Sequence, residues 1–383
     1  MNFILAFGAI LIISALSCKM TGKMGVPLLV GFILIGILIG NWYRMENLST
    51  VGNICDLSLL LIIFTGGFLT SFSEARPVLP VASVLSVAGT MMTAVIASAF
   101  AYFALHLDFY QAMILGAIIS PTDAASVFSV LSSKQMDLRN SLGPMLEIES
   151  GSNDPFAYMM TVMYISMATG GSQNVALLLV SQIIIGVLSG YVFYRFGRFV
   201  INKLNVDIDG LYAVLLCGTA FLMYGAAAQF GGNGFLAAYI GGILIGNSKI
   251  VYKRFLSRMF SAISTLMQIL LFIVLGILCM PSSMAAVTVS GLVFAFFLLL
   301  VARPLVMFAL MKPFRRRLNE IALVSWSGFR GASSVVFATL ALRSGLPYAE
   351  YIFSIVFFVC MLSVTLQGSL IAPIARKLKL IEE

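Results

Sequence analysis

Charge is what this chain has least of. Asp, Glu, Lys and Arg together make up 10% of its 383 residues, against 60% hydrophobic residues and a mean hydropathy of +1.04. A soluble globule of this size needs far more polar surface, so the chain is expected to be solvated by lipid. Also missing are the alternating segments of roughly 10 residues that mark a membrane β-barrel. The apolar stretches are continuous, as from Gly291 to Val301, and most approach the roughly 20 residues a helix needs to cross a bilayer. No cationic residue precedes the first apolar run, and Lys19 and Lys23 follow it, which argues for a first spanning helix rather than a cleaved signal peptide. The five cysteines (Cys18, Cys55, Cys217, Cys279, Cys360) show no CxxC spacing and have no histidine beside them, so disulfides and metal binding are disfavoured and they serve as small hydrophobes. The single histidine, His106, adjoins Asp108 in a short loop and is expected to be solvated. No cofactor is called for.

The runs divide into about thirteen spans, near 2–18, 26–41, 54–70, 77–104, 109–132, 141–169, 174–194, 210–229, 234–247, 255–280, 284–311, 318–342 and 349–375. With the N-terminus outside, nineteen of the 23 Lys and Arg fall at inward ends and loops, only Arg44 and Arg343 outside, and Arg303 and Arg330 within spans. That bias sets the orientation and puts the C-terminus in the cytoplasm. The net charge of +8 is used up by these loops, so anionic lipid is the expected partner of the basic surface and nucleic acid is not.

The hexapeptide Gly-Ile-Leu-Ile-Gly-Asn occurs at 36–41 and again at 242–247, an offset of 206 residues, and the same offset carries Asp123 to Phe329, beside Arg330. Ser120-Pro121-Thr122-Asp123 interrupts the fifth span and Gly328-Phe329-Arg330-Gly331 the twelfth. The paired spans run in opposite directions, the pattern of an inverted repeat, and substrate in such folds binds near the midplane where broken helices meet.

A charge at the centre of a spanning helix costs roughly 2.5 to 3.5 kcal/mol on the mildest scale, so each one is a functional candidate. Asp123, Glu147, Glu149, Asp154, Arg303 and Arg330 qualify. In Glu149-Ser150-Gly151-Ser152-Asn153-Asp154-Pro155 the polar side chains lie about one turn apart and could form an oxygen cage for a hard cation. Arg330 keeps its proton and therefore needs a buried carboxylate, for which Glu149 is the expected partner. Arg303, ahead of Pro304, is expected to snorkel or tie a neighbouring helix. Glu147 and Asp56, nearer span ends, are expected to be structural.

Pro121-Thr122-Asp123, Glu149-Ser150 followed by Asn153-Asp154, and Trp326-Ser327-Gly328-Phe329-Arg330-Gly331 together resemble the monovalent cation:proton antiporters of the NhaP type, most closely the bacterial potassium/proton branch. That resemblance, which spans nearly the whole chain, implies an all-α inner-membrane transporter and not an enzyme. It implies Asp154 as the carboxylate that alternately holds cation and proton, with Thr122 and Ser150 as oxygen ligands of the bound monovalent cation. Asp123 would act through water or hold the broken helices in register. Glu149 and Arg330 would form a structural ion pair. Asn153 stands where electrogenic relatives have a second aspartate, which implies electroneutral exchange. The family often has an acid at the position of Thr65, and its absence is expected to favour potassium over sodium. Two units are implied, a scaffold of residues 1–70 and 174–280 and an ion-binding core of 77–169 and 284–375, moving against each other about a midplane site. A homodimer is implied by the family alone.

Proton and cation exclude each other at one buried carboxylate because each neutralises the same charge, so exchange needs no further machinery. Two rivals are weighed. Asp123 and Asp154 could form an intramembrane aspartyl protease dyad, but Pro-Thr-Asp is not a Gly-rich dyad loop, and that reading gives Arg330 no task. A passive cation channel lacks a repeated carbonyl filter.

Overall fold

The computed structural model describes residues 28–41, 47–123, 137–171, 174–203, 208–279 and 281–381, with Gly8 and Ile12 besides. The regular elements among these residues are all helices: α1 Leu28–Gly40, α2 Leu48–Leu69, α3 Leu79–Ala104, α4 Phe109–Ile119, α5 Leu142–Ala168, α6 Val175–Lys203, α7 Asp209–Gln229, α8 Gly234–Gly246, α9 Lys253–Leu278, α10 Pro281–Phe297, α11 Arg303–Met311, α12 Leu318–Trp326, α13 Ala332–Arg343 and α14 Ala349–Lys377. Among the described residues seven helical stretches are long and apolar enough to cross a membrane, and the shorter apolar helices α1, α4, α8 and α13 stand among them. Helix occupies each of the second to thirteenth expected segments, at least in part. The first segment, 2–18, and the distal part of the fifth, from 124, lie outside the described residues.

Two helices contain a π turn. One occupies Leu85–Gly89 within α3, and the other, Leu298–Ala302, joins α10 to α11. The second lies just ahead of Pro304, whose missing N–H and bulky ring disturb the ladder of the preceding turn. These are the fourth and eleventh segments, which correspond under the sequence repeat.

The repeated hexapeptide plays the same part in both halves. Gly36 and Gly40 bring the backbone of α1 against Ile273, Gly276 and Ile277 of α9, while Gly242 and Gly246 bring α8 against Phe64 and Phe68 of α2. Since α1 corresponds to α8 and α2 to α9, one contact repeats the other with roles exchanged. A side chain at these positions would strike backbone, which is why both copies keep glycine there.

Helices α1, α2, α6, α7, α8 and α9 pack chiefly on one another, as do α3, α4, α5 and α10 to α14. The seam between the sets runs where α13 meets α2 and where α5 meets α8 and α6.

Candidate functional site

The two interrupted segments cross inside the second set. Helix α4 stops at Ile119 and Ser120 to Asp123 are not helical, while Ser327 to Gly331 separate α12 from α13. The crossing is a direct contact: the Asp123 N–H donates to the Phe329 carbonyl at 2.9 Å, joining two positions related by the 206-residue offset.

Broken helices leave carbonyls at one end and N–H groups at the other, and without water each needs a partner. Arg330 Nη1 donates to the carbonyls of Ser120 (2.6 Å) and Pro121 (2.7 Å) at the C-terminal end of α4. Asp123 Oδ2 accepts from Ala332 N (3.3 Å) at the N-terminal end of α13. Each charge carries the sign that its helix dipole attracts. Helix α14 supplies the rest: Ser363 Oγ accepts from Arg330 N (2.9 Å) and donates to Gln367 Oε1, and Gln367 Nε2 donates to the Trp326 carbonyl (2.8 Å).

The two glycines of Gly328-Phe329-Arg330-Gly331 are explained by what approaches them. A Cβ on Gly331 would overlap the Asp123 carboxylate, and one on Gly328 would press into the Arg303 guanidinium.

Helix α5 meets this crossing with its polar stretch. Asn153 Nδ2 donates to Thr122 Oγ1 at 2.7 Å; Thr122 and Ser150 hydroxyls lie 2.9 Å apart; Ser150 Oγ donates to Glu149 Oε2 at 3.2 Å. The chain ends on an ion pair, because Arg303 Nη1 stands 3.0 Å from Glu149 Oε1 with both side chains buried. The expected Glu149–Arg330 pair is therefore corrected. Arg303 holds Glu149, and Arg330 instead caps the carbonyl end of α4. Nor does Arg303 snorkel: it begins α11 right after the π turn, is 2% exposed, and ties α11 to α5.

Asp154 is 8% exposed, and its Oδ1, like Asn153 Oδ1, has no hydrogen-bond partner among the described residues. Donation to Thr122 fixes the amide of Asn153 so that its carbonyl oxygen stays free. Asp123 and Glu149 act on Asp154 through their charges, and the Ser333 hydroxyl lies beside it. Among the described residues the crossing thus gathers three carboxylates (Asp123, Glu149, Asp154) and two guanidiniums (Arg303, Arg330), all buried. An amide oxygen and a carboxylate oxygen side by side, neither partnered among the described residues, suit a cation that sheds water for oxygen ligands.

The other expected residues lie apart from this chain of bonds. Thr65 is buried in α2 and its hydroxyl has no partner among the described residues. Asp56 of α2 pairs with Arg343 of α13 at 3.0 Å, and Thr70 donates to Glu147 Oε1 at 3.2 Å. Arg303 ties a neighbouring helix, as one of its two expected roles had it, but its place at the crossing was not expected, nor were Ser363 and Gln367. Arg303 carried the same signal as Arg330, a guanidinium in an apolar run, whereas two uncharged side chains of α14 carried none.

The family described as "Sodium/hydrogen exchanger, transmembrane" matches residues 8–377. A K(+)/H(+) antiporter NhaP of Alkalimonas amylolytica is 32% identical over 98% of this chain and 67% of its own length. A K(+)/H(+) antiporter NhaP2 of Shewanella oneidensis is 32% identical over 99% of this chain and 67% of its own. In fold, the sodium proton antiporter MjNhaP1 of Methanocaldococcus jannaschii superposes with a TM-score of 0.85 at 21% identity, covering 99% of both chains.

Proposed function

From the premise that the chain belongs to the sodium/hydrogen exchanger transmembrane family, we propose that it exchanges one monovalent cation for one proton by competition at Asp154. The family is one of multi-pass membrane transporters and not of enzymes. The observation that carries the stoichiometry is the buried charge at the crossing. Three carboxylates face two guanidiniums, so full ionisation leaves one negative charge, which either one cation or one proton neutralises. The loaded site then crosses the membrane without net charge in both directions, and exchange is electroneutral.

Thr122, Ser150, Asn153 and Asp154 form the cation's protein shell in this account. Thr122 and Ser150 hydroxyls reorient from Glu149 towards the ion, and Asn153 and Asp154 contribute the oxygens that lack partners among the described residues. Asp123 holds the two broken helices in register as the cap of α13, a task that also argues against a protease dyad with Asp154. Potassium is favoured over sodium, in line with the names of the relatives and with Thr65 in place of an acid.

Alternating access follows the seam. The helices of 77–169 and 284–375 would move as a core against a scaffold of 1–70 and 174–280, a division supported by the two packing sets. We assign thirteen spans in an inverted repeat, the N-terminus outside, the C-terminus cytoplasmic, an inner-membrane location with anionic lipid at the basic loops, and a homodimer. The charge bias, the exchanged glycine contacts and the family support these assignments.

The stoichiometry is tested in sealed vesicles by clamping the membrane potential while a potassium or sodium gradient drives proton movement. Rates independent of potential are expected, and a steep dependence would refute the one-for-one reading.

A further inference from the structure

Helix α5 has a second polar face that the chain of bonds around Thr122 does not use. Glu147, Gly151 and Asp154 stand at positions i, i+4 and i+7, so they form one stripe, while Glu149 and Asn153 form another. The stripe faces the seam. A Cβ on Gly151 would lie 3.2 Å from the ring and 3.6 Å from the hydroxyl oxygen of Tyr239 on α8. The missing side chain lets that ring pack directly against α5 between the two carboxylates. Tyr239 is 5% exposed, its hydroxyl makes no hydrogen bond of good geometry among the described residues, and Ser152, Glu147 and Asp154 of α5 all act on it.

The stripe also has a direction. Glu74, exposed on the short helix Phe72–Ala75, acts electrostatically on Glu147; Glu147 is half-buried and holds Thr70 of the α2 end; Asp154 is buried. Acidity continues inwards while exposure falls, and the outer end of this ladder lies on the side that the positive-charge bias makes cytoplasmic. Thr70 is the only partner that the hydrogen bonds give the Glu147 side chain among the described residues, so Glu147 retains acceptor capacity for an ion.

We propose that Glu147 and the Tyr239 hydroxyl form a staging site for the transported monovalent cation on the cytoplasmic approach, from which the ion passes to Asp154. The assignment rests on the antiporter reading and its orientation. Glu147 supplies the charge that draws the ion out of bulk water. Tyr239 supplies an oxygen midway, and Gly151 lets it stand that close to α5. Asn247 at the α8 end donates to the Thr70 carbonyl at 2.9 Å within the first packing set, and Thr70 bonds Glu147 of the second, so the mouth is built from both sets and changes shape when they slide.

The test uses the full chain in vesicles sorted by orientation, with potassium or sodium added to one face and proton movement followed by a trapped dye. In Glu147→Gln the half-saturating cation concentration at the cytoplasmic face is expected to rise about fivefold, equivalent to about 1 kcal/mol at about 1.4 kcal/mol per decade. The external face and the maximal rate stay within about twofold, because the final site is intact. Tyr239→Phe, which removes one oxygen and keeps the ring, shifts the same constant in the same direction by about twofold. Unchanged constants in both variants, or equal shifts at the two faces, overturn the staging site. Flux that survives Asp154→Asn overturns the antiporter reading itself, a separate result.

Discussion

Replacing Glu149 by Gln should destabilise the protein because of Arg303, and a second substitution should show which arginine is responsible. The pair stands at 3.0 Å with both partners buried. At an effective dielectric near 20 the attraction across that distance is about 5.5 kcal/mol, and breaking such pairs costs about 3–5 kcal/mol because one charge is stranded. Glutamine retains an oxygen for the guanidinium, so the lower end, about 3 kcal/mol, applies. With an unfolding entropy of about 2.1 cal/mol/K per residue, that is a fall of about 4 °C in apparent Tm for this length. The assay is thermal unfolding in detergent at one scan rate, since membrane proteins of this size unfold irreversibly. Glu149→Gln with Arg303→Met removes both charges and should recover most of the loss. Glu149→Gln with Arg330→Met should lose further stability, because Arg330 also caps the carbonyls of Ser120 and Pro121. Recovery with Arg330→Met and none with Arg303→Met would refute the pairing.

Gly331→Ala should abolish transport, because its Cβ would displace the Asp123 carboxylate from the N-terminal end of α13; transport near the unsubstituted rate would contradict this. Thr122→Val removes the hydroxyl that accepts from Asn153, and should weaken apparent cation affinity by about tenfold, or about 1.4 kcal/mol, in the same vesicle assay. Thr65→Glu should raise apparent sodium affinity relative to potassium, and equal effects on both ions would count against a role for the missing acid.

Much of the crossing was legible in one dimension because the bilayer penalises the same features that mark it. Pro121 and the glycines around Arg330 stand out in apolar runs, and a charge there has no cheap explanation. The offset of 206 residues even named the two positions, 123 and 329, that hydrogen-bond at the crossing. Which arginine meets Glu149 was not legible. Arg303 and Arg330 carry the same charge and similar surroundings in sequence, and the choice depends on the rotation of α11, set by the π turn Leu298–Ala302 before it. The close approach at Gly151 was equally hidden, since a glycine between polar residues gains meaning only when Tyr239, 88 positions away, is seen packed on it.

The most direct test of the central claim is proton movement in sealed vesicles after addition of potassium or sodium, with Asp154→Asn alongside. Competition at Asp154 predicts cation-driven proton flux, stronger with potassium, that the substitution abolishes while the protein remains folded. Flux that persists in Asp154→Asn, or none with either cation in folded, inserted protein, would contradict the account.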